Sequence, residues 1–169
     1  MKRIFLLIPT LLTACLLSAC ASTSGSDPGA VAAAYAAAGR YDEAAREIDL
    51  AVRAHPSNVK LRQQAATIHT EAGSPDQAVS HLEAAIELEP GNATSWVQLA
   101  EIENARQNVA DAYVAYRRAA ELAPDDVRAV SGLALTADSL GFSEEARVAY
   151  ALWAELERQE DTPASHRPR

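Results

Sequence analysis

Aromatic side chains are scarce: Phe, Trp and Tyr together make up 5% of the 169 residues, against 49% hydrophobic residues overall. The core must therefore be built from Ala, Leu, Ile and Val, a composition that favours closely packed helices. Cysteine is rarer still. Both copies, Cys15 and Cys20, fall within the first twenty residues, so the rest of the chain can form no internal disulfide. The histidines are His55, His69, His81 and His166, and no two are three or four residues apart, the spacing that sets a pair of imidazoles on one helix face around a metal. His69 reads instead as a satisfied, partly buried imidazole packed between helices. A Gly-rich phosphate loop and a nucleophile elbow are also missing, and no pair of facing carboxylates stands outside what the helical pattern already explains as surface. No catalytic residue, metal or cofactor is assigned on this basis, and an enzyme is not expected. Positive charge is in short supply too, 15 Lys and Arg against 23 Asp and Glu, a balance that repels nucleic acid and anionic lipid.

What is present begins with Met1-Lys2-Arg3, followed by an apolar stretch from Ile4 to Leu17 that is broken only by Pro9, Thr10 and Thr13. This is the layout of an export signal. At about 14 residues the stretch is shorter than the roughly 20 that a spanning helix needs. It ends in Leu17-Ser18-Ala19-Cys20, which resembles the lipobox of bacterial lipoproteins. That resemblance implies a signal peptide over residues 1–19, cleavage before Cys20, and lipid on its thiol. Leu12-Thr13-Ala14-Cys15 is a second match. Cys20 is preferred, because cutting at Cys15 leaves Leu16 and Leu17 in the tether with nothing to bury against. Loss of Lys2 and Arg3 moves the formal charge from −8 to about −10. Residues 20–27 then form a lipidated Cys and a Ser/Gly/Thr-rich tether with a reach of about 15 Å. Ala21, where an Asp would retain such a lipoprotein in the inner membrane, implies the outer membrane, facing the periplasm. The lipid would be the only contact with membrane.

Shifting the chain by 34 residues brings Ala44, Ala78, Ala112 and Ala146 into line without a gap. The same shift aligns Ala32, Ala66, Ala100 and Ala134, then Ile48, Leu82, Tyr116 and Tyr150, and also Pro56, Pro90 and Pro124. Four units follow, at about 25–58, 59–92, 93–126 and 127–160. Each reads as two amphipathic helices. In the second unit Leu61, Ala65, Ala66 and Ile68 mark one face and Ala78, Leu82, Ala85 and Leu88 the next, with Gly73-Ser74-Pro75 between them. Asn58, Asn92 and Asp126 stand where they can cap the following helix. Asp27 is expected to cap a shortened first helix, with Pro28 at its first position. In the third unit Gln107-Asn108 replaces the turn glycine, and Asn is the residue expected to take the left-handed conformation.

This pattern, with Gly-Arg-Tyr-Asp-Glu-Ala at 39–44 and Trp96, Leu99, Ala100, Ala112, Tyr116, Ala119 and Pro124 in unit three, resembles the tetratricopeptide repeat (TPR). The resemblance implies an all-α solenoid over residues 28–160, right-handed, with the first helix of each unit lining a concave groove, and a disordered tail at 161–169. By register the groove carries Lys60, Gln63, Gln64, Thr67, Thr70 and Glu71 from unit two. Unit three adds Thr94, Val97, Gln98, Glu101, Asn104 and Ala105, and unit four adds Arg128, Ser131, Leu135, Asp138 and Ser139. The Lys/Asn pair of carboxylate-clamping TPR domains is missing. The lining suits either an extended peptide or plain solvation.

The last unit offers a second surface. Ala149, Leu152, Trp153 and Leu156 lie at helical spacing where a capping helix would sit, and two readings stand, Trp153 as a lid on its own helix or as a contact for a homodimer or partner. Expected partners are envelope proteins or peptides, not nucleic acid. The resemblance extends to small TPR lipoproteins of pilus and secretion-system assembly, including pilotins and Tad-type pilus lipoproteins. Alternatives are an adaptor for outer-membrane protein insertion or cell-wall hydrolases, and a structural, self-associating lipoprotein.

Overall fold

Three side chains at 34-residue spacing set where the first helix of a pair begins. Asn58 Oδ1 accepts from the backbone N–H of Leu61 at 3.2 Å, and Asn92 Oδ1 from that of Ser95 at 3.3 Å. Asp126 Oδ1 accepts from Arg128 and Ala129 at 2.9 and 3.4 Å. Each satisfies donors that the first turn leaves unpaired. The computed structural model describes residues 27–160, so the expected signal peptide, Cys20 and the tail at 161–169 lie outside the described residues.

The helices are α1 (Ala30–Ala37), α2 (Tyr41–Ala54), α3 (Val59–Glu71), α4 (Pro75–Leu88), α5 (Ala93–Ala105), α6 (Val109–Leu122), α7 (Val127–Ser139) and α8 (Ser143–Glu160). They form four antiparallel pairs, and the described residues include no strand. Gly39, Gly73 and Gly141 make the turn inside the first, second and fourth pairs at φ of 72°, 72° and 79°. In the third pair the left-handed residue is Gln107, φ 67°, and not Asn108, which has φ −84° and precedes α6. Position decides: Gln107 stands at the repeat's glycine place, and the backbone imposes the conformation on whatever side chain is there, at a cost of about 1 kcal/mol. At the start, α1 begins two residues later than expected. Pro28 and Gly29 form a turn, and Asp27 Oδ1 accepts from the Gly29 N–H at 3.1 Å ahead of the helix.

The alanine columns bring the helices together. Ala44, Ala78 and Ala112 are fully buried and Ala146 nearly so, while Ile48 and Leu82 fill the spaces between helices at 0% exposure. Burying one such side chain stabilises the fold by about 1.5–3 kcal/mol. Each second helix packs against the first helix of the next pair, α2 on α3, α4 on α5 and α6 on α7. First helices also touch directly, α3 with α5 and α5 with α7, which sets them along one inner face. The architecture is thus an all-α, TPR-like α-solenoid. Where Tyr116 takes the place of Ile48 and Leu82, a glycine makes the room: a Cβ on Gly132 would lie 2.3 Å from the Tyr116 ring.

Candidate functional site

The inner face between α3 and α5 holds most of the residues expected to line the groove. Thr67, Thr70, Glu71, Gln98, Glu101 and Ala105 surround a cavity of about 190 Å³ floored by Ala66 and Ile102. Lys60, Gln63 and Thr94 border a second, more polar recess of about 460 Å³ with Glu89 and Asn92. Amides tie the two helices together across this face. Gln63 Nε2 donates to Ser95 Oγ at 2.9 Å and to Asn92 Oδ1 at 3.2 Å, and Gln98 Nε2 donates to Thr67 Oγ1 at 3.4 Å. Gln98 Oε1 is buried and has no hydrogen-bond partner, an acceptor with nothing to accept from.

Other groove residues are placed differently. Val97 is 0% exposed and packs with Ala119 and Ala129, so it belongs to the core and is closed to a ligand. Gln64 donates to the Gly29 carbonyl at 3.1 Å, joining α3 to the chain ahead of α1. Arg128 sits 3.8 Å from Glu101 and 3.4 Å from Asp126. Burial lifts the Glu101 carboxyl above the ordinary carboxylate value, against the pull of Arg128. Asn104, Leu135, Asp138 and Ser139 are exposed and Ser131 is half-buried. The middle of the groove therefore presents acids, amides and hydroxyls.

Ser95 was not among the expected residues, although it stands at 0% exposure where units two and four carry Leu61 and Ala129 and unit one carries Asp27. A polar residue at a place that is apolar in both neighbouring units was the available signal. A larger omission lies on the other side of α3. His69 Nε2 is 3.0 Å and His81 Nε2 3.4 Å from Asp49 Oδ1, and the two imidazoles stack at 5.2 Å with planes 18° apart. His69 is 3% exposed, and its Nδ1 is buried without a partner. Burial, then the neighbouring His69, holds the His81 imidazole below its ordinary value, and Asp49 only partly opposes this. No spacing within one helix signals the trio, because α2, α3 and α4 each supply one member. The next unit puts Glu103 at the place of His69, 7% exposed, accepting from Arg106 at 2.9 Å and Asn108 at 2.6 Å.

The end surface is narrower than expected. Ala149 is 5% exposed and equivalent to Ala115, which packs among Ala100, Ala112 and Tyr116, so it faces inward and is no contact residue. Leu152, 39% exposed, stands at the place of the outward Leu50. Trp153 is half-buried, stacked on Tyr150 at 6.2 Å, with its indole N–H buried and unpartnered, and Leu156 is half-buried beside it. The described residues contain no helix long and apolar enough to cross a membrane.

A tetratricopeptide repeat family description matches residues 69–133 of the chain. The chain is similar in structure to MamA, at a TM-score of 0.70 and 23% identity over 76% of this chain and 75% of that one. It is also similar to MamA from Desulfovibrio magneticus RS-1, at 0.70 and 19% over 80% and 78%. The first TPR of Spaghetti (RPAP3), bound to the HSP90 peptide SRMEEVD, superposes at 0.61 with 23% identity over 68% and 94%. These likenesses show the fold. No curated protein sequence matches the chain.

Proposed function

We propose that this chain is a protein-interaction scaffold, lipid-anchored through Cys20 to the outer membrane and facing the periplasm, that holds an extended segment of an envelope protein during pilus or secretion-system assembly. The observation that carries the reading is the cavity between α3 and α5, which Thr67, Thr70, Glu71, Gln98 and Glu101 rim over an apolar floor of Ala66 and Ile102. An extended peptide suits such a recess, its backbone meeting the hydroxyls and carboxylates of the rim and a side chain meeting the floor. Glu71 and Glu101 beside it favour a neutral or basic segment over an acidic one. The TPR fold, and a TPR neighbour bound to a peptide, support a peptide as ligand.

A photo-crosslinker at Thr67 should capture an envelope protein in intact cells, and Gln98→Ala should weaken that capture several-fold. Equal capture from Leu50, exposed on the second helix of unit one, sinks the groove reading. Recovered pilus or secretion components support assembly, whereas insertion machinery or cell-wall hydrolases support the adaptor alternative. For the anchor, Cys20→Ser should move the protein from the membrane to the soluble fraction without unfolding it, and full retention in the membrane rejects Cys20. A second reading, self-association, draws on Tyr150, Trp153 and Leu156. Trp153→Ala should then abolish a dimer seen by light scattering, whereas a lid role predicts a monomer with a lower Tm.

A further inference from the structure

The geometry points to a binding site for a divalent transition-metal ion of the zinc class, formed by Asp49, His69 and His81 where units one and two meet. The three side chains offer one carboxylate oxygen and two imidazole nitrogens, all within 4.8 Å of one another. Zinc bonds to such ligands are about 2.0–2.2 Å long, so neighbouring ligand atoms in a tetrahedral site stand about 3.4 Å apart. The Asp49 oxygen lies 3.0 Å from His69 Nε2 and 3.4 Å from His81 Nε2. An ion among the three replaces the two Asp–His contacts.

The repeat does not require these residues. At the equivalent places the next units carry Glu83, Glu103 and Ala115, then Arg117, Ala137 and Ala149, and the helices pack at every joint. Imidazole and carboxylate together suit zinc, nickel, copper or cobalt, whereas calcium and magnesium favour oxygen alone. With the Asp49 side chain 34% and the His81 side chain 17% exposed, the fourth position faces solvent and takes a water. The ion ties α2, α3 and α4 into one clamp, stiffening the first joint of the stack. Arg62, whose guanidinium acts on His81 and donates to the Pro56 carbonyl at 2.9 Å, is the opposing positive charge.

The test uses the full chain, stripped with a chelator and titrated with zinc alone by calorimetry, with cobalt as an optical probe. One zinc per chain should bind, the Tm should rise with zinc, and cobalt should give the intense visible bands of a tetrahedral site. His81→Ala and Asp49→Asn, both at partly exposed positions and checked for helicity, should each weaken binding more than about 100-fold, since even the loss of a residue that only orients a ligand costs 10–100-fold. His55→Ala should leave binding intact. Absence of zinc binding at millimolar metal, or binding that survives both ligand substitutions, overturns the site.

Discussion

Units one and two meet through Asp49, His69 and His81, whereas units three and four meet, at the equivalent places, through Arg117, Ala137 and Ala149. Rings fill this last joint. Tyr113 lies 5.1 Å from Phe142 and donates its hydroxyl to Glu145 at 2.6 Å, and Tyr116 rests on the bare backbone of Gly132. Both joints share the same buried alanines, so helix spacing is set by those columns, and the space between them is free to become a polar cluster or an aromatic plug. The middle joint shows the intermediate case, with Glu103 held by Arg106 and Asn108. One scaffold thus carries joints of different chemistry, and a binding function can arise at one joint without altering the others.

The comparison breaks most readily at the aromatic joint. Gly132→Ala forces a methyl into the Tyr116 ring and should cost about 2 kcal/mol of unfolding free energy. Adding Tyr116→Leu, which restores the side chain of the Leu82 place, should recover most of it. An additive double mutant in denaturant unfolding would show that the two residues are not coupled. At the middle joint, Glu103→Ala copies the Ala137 solution but takes the side-chain acceptor from Asn108 and leaves Arg106 only Asp76 as a carboxylate partner, and should cost about 1.5 kcal/mol. A neutral or stabilising result would mean the polar column contributes nothing to packing. Gln107→Gly supplies the residue that the other three turns already have and should stabilise by about 1 kcal/mol, read as a raised urea midpoint.

The smallest effect is one of pH. Burial, then the Glu101 charge, pushes the Tyr116 phenol up to about 12 from 10.0. The folded chain then keeps a proton that the unfolded chain loses, so this contribution is complete below about pH 10 and is lost as pH rises toward about 12. Unfolding free energy should fall with pH across that window, less steeply in Tyr116→Phe. Equal slopes would remove Tyr116 as the cause.

Most of the fold was legible in the chain because its signals are local. The 34-residue columns, the caps at Asn58, Asn92 and Asp126 and the turn glycines all act within a few residues of where they are written. The groove was legible in part. Register put Thr67, Gln98 and Glu101 on the inner face, but carried Val97 there as well, and the Ala119 and Ala129 that bury it come from two other helices. Gln107, not Asn108, is left-handed, because the turn's position in the pair outweighs a residue's tolerance. On the end helix, the spacing of Ala149, Leu152, Trp153 and Leu156 showed one stripe, and packing divided it.

The sequence by itself determined the paired-helix repeat and the starts of α3, α5 and α7, since the repeat period and the caps at Asn58, Asn92 and Asp126 are properties of the chain taken in order. Only the tertiary structure decided which side chains meet across helices: the Asp49, His69 and His81 cluster, the unpartnered Gln98 oxygen and the Tyr116–Gly132 fit. The reason is physical. A helix fixes the direction of a side chain about its own axis, but a contact needs the distance and angle to another helix, and packing alone supplies these.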